Sequence, residues 1–206
     1  MRAHHGRAAA ALAVTAVIAG GGLAAGVSDA ASTSATLRAA PARAHATPPD
    51  VTVLFGRALS KARASRRPLF AKAVVYEADG STANGRPTRS ARGITVWRFV
   101  FDNYPSHSRF ASATLTYRWP AGRFGRVVGI KPPFLEDYVI RSAPKMTLAT
   151  AVKRLRHAGY RQSFRFVTLR RPVGPRRVAA LYLFGLSSGH YVAVNTVTGK
   201  VSPFGR

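Results

Sequence analysis

Cysteine is missing altogether from the 206 residues. That excludes disulfides, thiolate nucleophiles and thiolate metal sites together, so the fold must be held by its core. Carboxylates are scarce as well, with 7 Asp and Glu against 32 Lys and Arg and a net charge of +25. They are also unevenly placed. Every one lies at or before Asp137, so residues 138–206 carry thirteen Lys and Arg and no acid. A chain this poor in carboxylates has few groups from which to build a paired acid and base. Its field draws polyanions, such as teichoic acids and acidic lipids outside a cell, or nucleic acid. Plain Arg-rich, Ala-rich composition that keeps a protein soluble is the competing account of the same charge.

Only one long apolar run is present. Met1-Arg-Ala-His-His-Gly-Arg7 is short and basic, and residues 8–27 after it are apolar, which is the outline of a secretory signal. Ser28-Asp29-Ala30 sets small residues three and one before a cut ahead of Ala31, and Ala25 offers a second cleavage point. Residues 1–30 therefore read as a signal peptide and residues 31–49, rich in Ala, Ser, Thr and Pro, as a flexible tether. The alternative is an anchor retained through residues 8–27, since about 20 apolar residues just span a bilayer, although many Gly and Ala make it a weak span. The expected address is secreted or cell envelope, with membrane contact only through that segment.

Asp50 precedes a stripe of Val51, Leu54, Phe55, Ala58, Leu59 and Ala62, the spacing of an amphipathic helix behind a capping residue. After Pro68 the period falls to two. Leu69 to Glu77, Ile94 to Phe101 and Ser112 to Trp119 read as strands, with residues 80–92 as a long mobile connection. The plan then repeats. Thr147 caps Leu148, Ala151, Val152 and Leu155, Gly159 closes that helix, and Ser163 to Arg170, Arg177 to Phe184 and Tyr191 to Val197 read as strands. Asp50-Val51 overlays Thr147-Leu148, Trp97-Arg-Phe-Val-Phe101 overlays Leu181-Tyr-Leu-Phe184, and Ala121-Gly-Arg-Phe124 overlays Thr198-Gly-Lys-Val201. The expected class is α+β, as two tandem helix-plus-antiparallel-sheet units (α-β-β-β twice), over residues 50–128 and 146–206 with a connector at 129–145. Apolar residues on both faces of the Trp97 strand call for two covers, the second being either the other half of the chain or a partner protein.

Thr198-Gly199-Lys200-Val201 raises the question of a phosphate-binding loop. Val194 stands where the first Gly of such a loop belongs, and Val201 where its hydroxyl belongs, so the Gly-Lys reads as a hairpin corner. With the helix opening Met146-Thr-Leu-Ala-Thr-Ala-Val152 and the closing stretch Val194-Asn-Thr-Val-Thr-Gly-Lys-Val201, the second half resembles the PepSY family over about 60 residues. Members commonly carry an acidic residue a few positions before the Thr-Gly, and Asn195 stands there instead. The resemblance implies a cystatin-like α-β-β-β fold and a non-catalytic role. PepSY units occur in pro-regions of thermolysin-like metallopeptidases as inhibitors and folding aids, and in other exported proteins.

The residues themselves point away from catalysis. Glu77 and Asp79 sit at a strand end, and Glu136 and Asp137 are neighbours in an extended connector, where adjacent side chains point apart. Asp102 with His107 and Ser106 or Ser108 reads more simply as a polar turn, and no His spacing suits a metal. No cofactor and no metal are expected. Phe164-Arg-Phe-Val-Thr-Leu169 echoes an RNA-stacking strand, but Ser163 and Arg165 replace its small residues and the element order differs, so no dedicated nucleic-acid site is expected. The expected function is restraint or binding of another secreted or envelope protein, such as a peptidase. The alternative is a cell-surface polyanion binder acting through Lys153, Arg154, Arg161, Arg170, Arg171, Arg176 and Arg177.

Overall fold

The first helix begins where the capping pattern places it. In the computed structural model, residues 47–65, 70–103, 109–134, 136–174 and 179–205 are described. The signal-like segment, nearly all of the tether, His107 and Arg176 and Arg177 lie outside them. Helix α1, Val51–Ala64, starts at Asp50, whose side chain accepts the Thr52 N–H, and buries Val51, Leu54, Phe55, Ala58 and Ala62. Helix α2, Leu148–His157, is capped by Thr147 and buries Leu148, Ala151, Val152 and Leu155. Gly159 follows it with φ +89°, as its position after the helix predicts. No described helix is long and apolar enough to cross a membrane.

Among the described residues nine strands form one antiparallel sheet, so the class is α+β. In chain order they are β1 (Val74–Ser81), β2 (Val96–Asp102), β3 (Ser112–Arg118), β4 (Arg123–Phe124), β5 (Val128–Ile130), β6 (Phe164–Arg170), β7 (Leu181–Leu186), β8 (Tyr191–Asn195) and β9 (Val201–Phe204). Their spatial order is β4-β3-β2-β1-β6-β7-β8-β9, with β5 also on β3. The seam is antiparallel pairing of β1 with β6, from Glu77 opposite Arg170 to Ser81 opposite Phe166. The two halves of the chain thus meet edge to edge, and neither covers the other's sheet.

One face of this sheet holds the core. Tyr117, Trp97, Gly80, Val167, Phe184 and Val192 form one row across it, and Leu115, Phe99, Ala78, Leu169, Tyr182 and Val194 the next. The buried residues of both helices join those of the strands in a single cluster. Truncating a buried aromatic such as Trp97 in a cluster like this costs roughly 3–5 kcal/mol.

Two expectations need correction. The first strand starts at Val74 and not at Leu69, because Phe70–Ala73 makes a turn closed by the Ala73 N–H on the Phe70 carbonyl. Its apolar residues extend the pattern without extending the strand. Residues 82–95 are not a loose connection. Thr88 exchanges two backbone hydrogen bonds with Phe164, and the Arg156 guanidinium, held by the Tyr160 and Gln162 carbonyls, also reaches the Arg89 carbonyl.

Candidate functional site

The strand pattern of β1 is broken by a bulge at Tyr76, since Val75 faces Phe101 and Glu77 faces Val100. Val75 and Ala78 therefore enter the core while Glu77 and Asp79 emerge together on the opposite face. Register brings Arg98 of β2 and Thr168 of β6 beside Asp79, and Arg170 of β6 beside Glu77. The Arg98 guanidinium donates to Asp79 Oδ2 through Nε at 3.0 Å and Nη2 at 2.6 Å, and Thr168 donates to Oδ1 at 2.9 Å. The connector closes the group from outside. Asp137, with a fully buried side chain, accepts from Arg170 Nε at 2.9 Å and Nη2 at 2.8 Å, both on Oδ1.

Electrostatics at this cluster are those of crowded, partly buried acids. Glu77 lies within 3.8 Å of Arg98, whose shorter bonds go to Asp79. Burial, then the neighbouring Asp79 and Asp137, pushes its carboxyl up to about 8, with Arg170 pulling the other way. Burial also raises Asp137, while the hydrogen bonds and charge of Arg170 and the contact with Glu77 oppose it. Such a group is suited to holding a proton inside the fold. Among the described residues no set of three or more His, Asp or Glu could hold a metal ion.

The same face carries an apolar row. Arg118, Val96, Ser81, Phe166, Gly185, Tyr191 and Phe204 stand side by side across seven strands. The far end of the Phe166 ring packs against Gly185, leaving no space for a Cβ there, and its ring centroid is 5.9 Å from that of Tyr191. Tyr191 is 45% exposed, and no described helix covers this face.

Five of the seven basic residues singled out from sequence lie among the described residues. Lys153 and Arg154 are exposed on α2, and Arg161 is exposed just beyond it. Arg170 is turned inward onto Asp137, and Arg171, its alternate neighbour, lies over the Tyr138 ring at 5.6 Å and reaches the Val139 carbonyl. Arg176 and Arg177 are outside the described residues. Asp102 is buried at the end of β2, while Ser106, His107 and Ser108 are outside.

The acids tell more than the bases. Of the carboxylates from Asp50 onward only Glu136 is exposed, while Asp50 and Asp79 are half-buried and Glu77, Asp102 and Asp137 are buried. The turn at Gly199 is the expected corner. It has φ +72°, its N–H reaches the Asn195 carbonyl, and Asn195 Oδ1 accepts from both Val197 and Thr198. Comparison of the chain with protein-family models, with curated proteins and with solved structures finds no match.

Proposed function

We propose that the protein is an exported, non-catalytic binding module of two α-β-β-β units, and that it holds an acidic secreted or envelope protein against the helix-free face of its sheet. Support for two units comes from order and detail. α1-β1-β2-β3 is followed by α2-β6-β7-β8, β1 and β6 each carry a bulge near the start, and Gly122 and Gly199 turn the chain with positive φ after β3 and β8. The PepSY resemblance adds its associational weight and makes a peptidase the partner of first choice.

The single observation that carries the binding role is the row of Val96, Phe166, Tyr191 and Phe204 on a face that no described helix covers. An apolar strip with aromatic anchors and a charged rim is the anatomy of a protein contact. Its rim argues for an acidic partner. Arg118 and Arg98 are exposed on this face, Arg98 paired with Asp79, and the β1 carboxylates Glu77 and Asp79 are buried and half-buried.

Paired capture tests the proposal. Mature protein and a Val96→Asp, Tyr191→Ala variant are used on the secretome and wall fraction at low and high salt. A protein kept by the parent at high salt and lost by the variant is expected. Identical captures, or release of everything by salt, would remove the sheet face from consideration.

A second reading, attachment to a surface polyanion such as teichoic acid, acidic lipid or nucleic acid, is favoured by the seclusion of the acids. Among the described carboxylates Glu136 alone is exposed, so the described surface offers little negative counterweight to its many cations.

A further inference from the structure

Residues 136–140 lie as a strap across the end of the β1–β6 seam. The Tyr138 N–H donates to the Arg171 carbonyl at 2.7 Å and the Ile140 N–H to the Val75 carbonyl at 2.8 Å, so the strap bridges both strands. Asp137 pins it through Oδ1 to Arg170. The other oxygen, Oδ2, is buried and has no hydrogen-bond donor, and register sets Glu77 opposite the same Arg170 that Asp137 grips, where Glu77, also beside Asp79, and Asp137 act on each other. Two ionised carboxylates cannot bond to each other, because both only accept. One proton turns the same contact from repulsion into a hydrogen bond.

We infer that Glu77 and Asp137 form a one-proton latch, in which a proton held between the two carboxyls keeps the 136–140 strap closed on the sheet and its loss releases the strap.

Charged and titratable groups press on Glu77 from every side. β1 contributes Asp79, β2 Arg98, β6 Arg170 and the strap Asp137, while Tyr76 and Glu136 act on Asp137, and Asp102 on Tyr76. The two cations are committed elsewhere, Arg98 to Asp79 and Arg170 to Asp137. Glu77 is left as the carboxyl without a short ion pair, and burial favours its neutral form up to about pH 8. The strap continues as one wall of an open cleft of about 600 Å³ that Arg141, Lys145, Arg171, Thr196 and Val197 also line, so release reshapes that cleft.

The test is residue-resolved hydrogen exchange on the full chain, corrected for the intrinsic dependence of exchange on pH. The opening constant at the Tyr138 and Ile140 amides is expected to rise about tenfold per pH unit once pH exceeds the ordinary Glu range and to level off above about pH 8, one proton being lost on opening. Glu77→Gln, whose amide donates in place of the proton, is expected to remove that rise and keep the strap closed. PH-independent opening in the parent chain, or the same rise in Glu77→Gln, overturns the latch. Should Glu77→Gln fail to fold, carboxyl NMR of the parent decides. A Glu77 midpoint near 8 supports the latch, and one in the ordinary carboxylate range ends it.

Discussion

Asp50 and Leu148 are 98 residues apart in sequence and joined by one hydrogen bond, from the Leu148 N–H to Asp50 Oδ2 at 2.9 Å. The other oxygen of the same carboxylate accepts from Thr52 at 3.0 Å. One side chain therefore satisfies an orphan donor at the start of both helices, with its charge near two positive helix ends. Asp50→Ala is expected to cost about 2 kcal/mol, more than a single cap, in denaturant unfolding. Asp50→Ser, which keeps only the local cap, should recover about half of it.

Gly199 supplies a left-handed corner, and a Cβ there would sit 3.3 Å from Arg154 Nε. Gly199→Ala should destabilise by roughly 1 kcal/mol or more. Asn195→Asp keeps the oxygen that accepts from Val197 and Thr198 and should be close to neutral, whereas Asn195→Ala loses both bonds. Lys200→Ala should leave the urea midpoint unchanged. Nucleotide affinity that disappeared with Lys200 would contradict the hairpin reading.

Stability should depend on pH with a definite sign. Glu77 binds its proton more tightly folded, at about 8, than unfolded. Its contribution is complete below the ordinary Glu range, falls as pH rises from there to about 8, and changes no further above. Asp137, also raised by burial, acts in the same direction. Urea midpoints across this window should fall for the parent and fall much less for Glu77→Gln.

Charge can be tested without disturbing the fold. Lys153, Arg154 and Arg161 are exposed, as are Lys61, Arg123 and Arg126 on the other half of the chain. A merely basic surface predicts that neutralising either trio weakens heparin or teichoic-acid binding equally and lowers the salt slope by similar amounts. Equal losses are expected. A loss of about tenfold, or about 1.4 kcal/mol, confined to the first trio would assign the polyanion role to the α2 face.

Local chemistry made much of the fold legible. Asp50 and Thr147 mark both helix starts, alternation marks β2, β3 and β6, and Gly199 marks its corner. What escaped was non-local. Phe70 hid a turn, and the bulges at Tyr76 and Arg165 changed which face the following residues take. Without the first bulge Glu77 would share the core face with Val75. Nothing in the letters pairs Asp137 with Arg170, 33 residues away, or sets β1 against β6. The acid cluster had one sequence signal, the concentration of scarce carboxylates in two short stretches, Glu77 with Asp79 and Glu136 with Asp137.

The β1–β6 seam also decides what happens when chains meet before folding is complete. Each of these strands is an edge until the other arrives, and each edge is complementary to the other and not to itself. A β6 from a second molecule fits β1 as well as the chain's own β6 does, with residues 129–145 as the hinge. Concentrated refolding should therefore yield exchanged dimers of reciprocal halves. Separately expressed pieces divided within that hinge should stick to one another and restore the nine-stranded sheet.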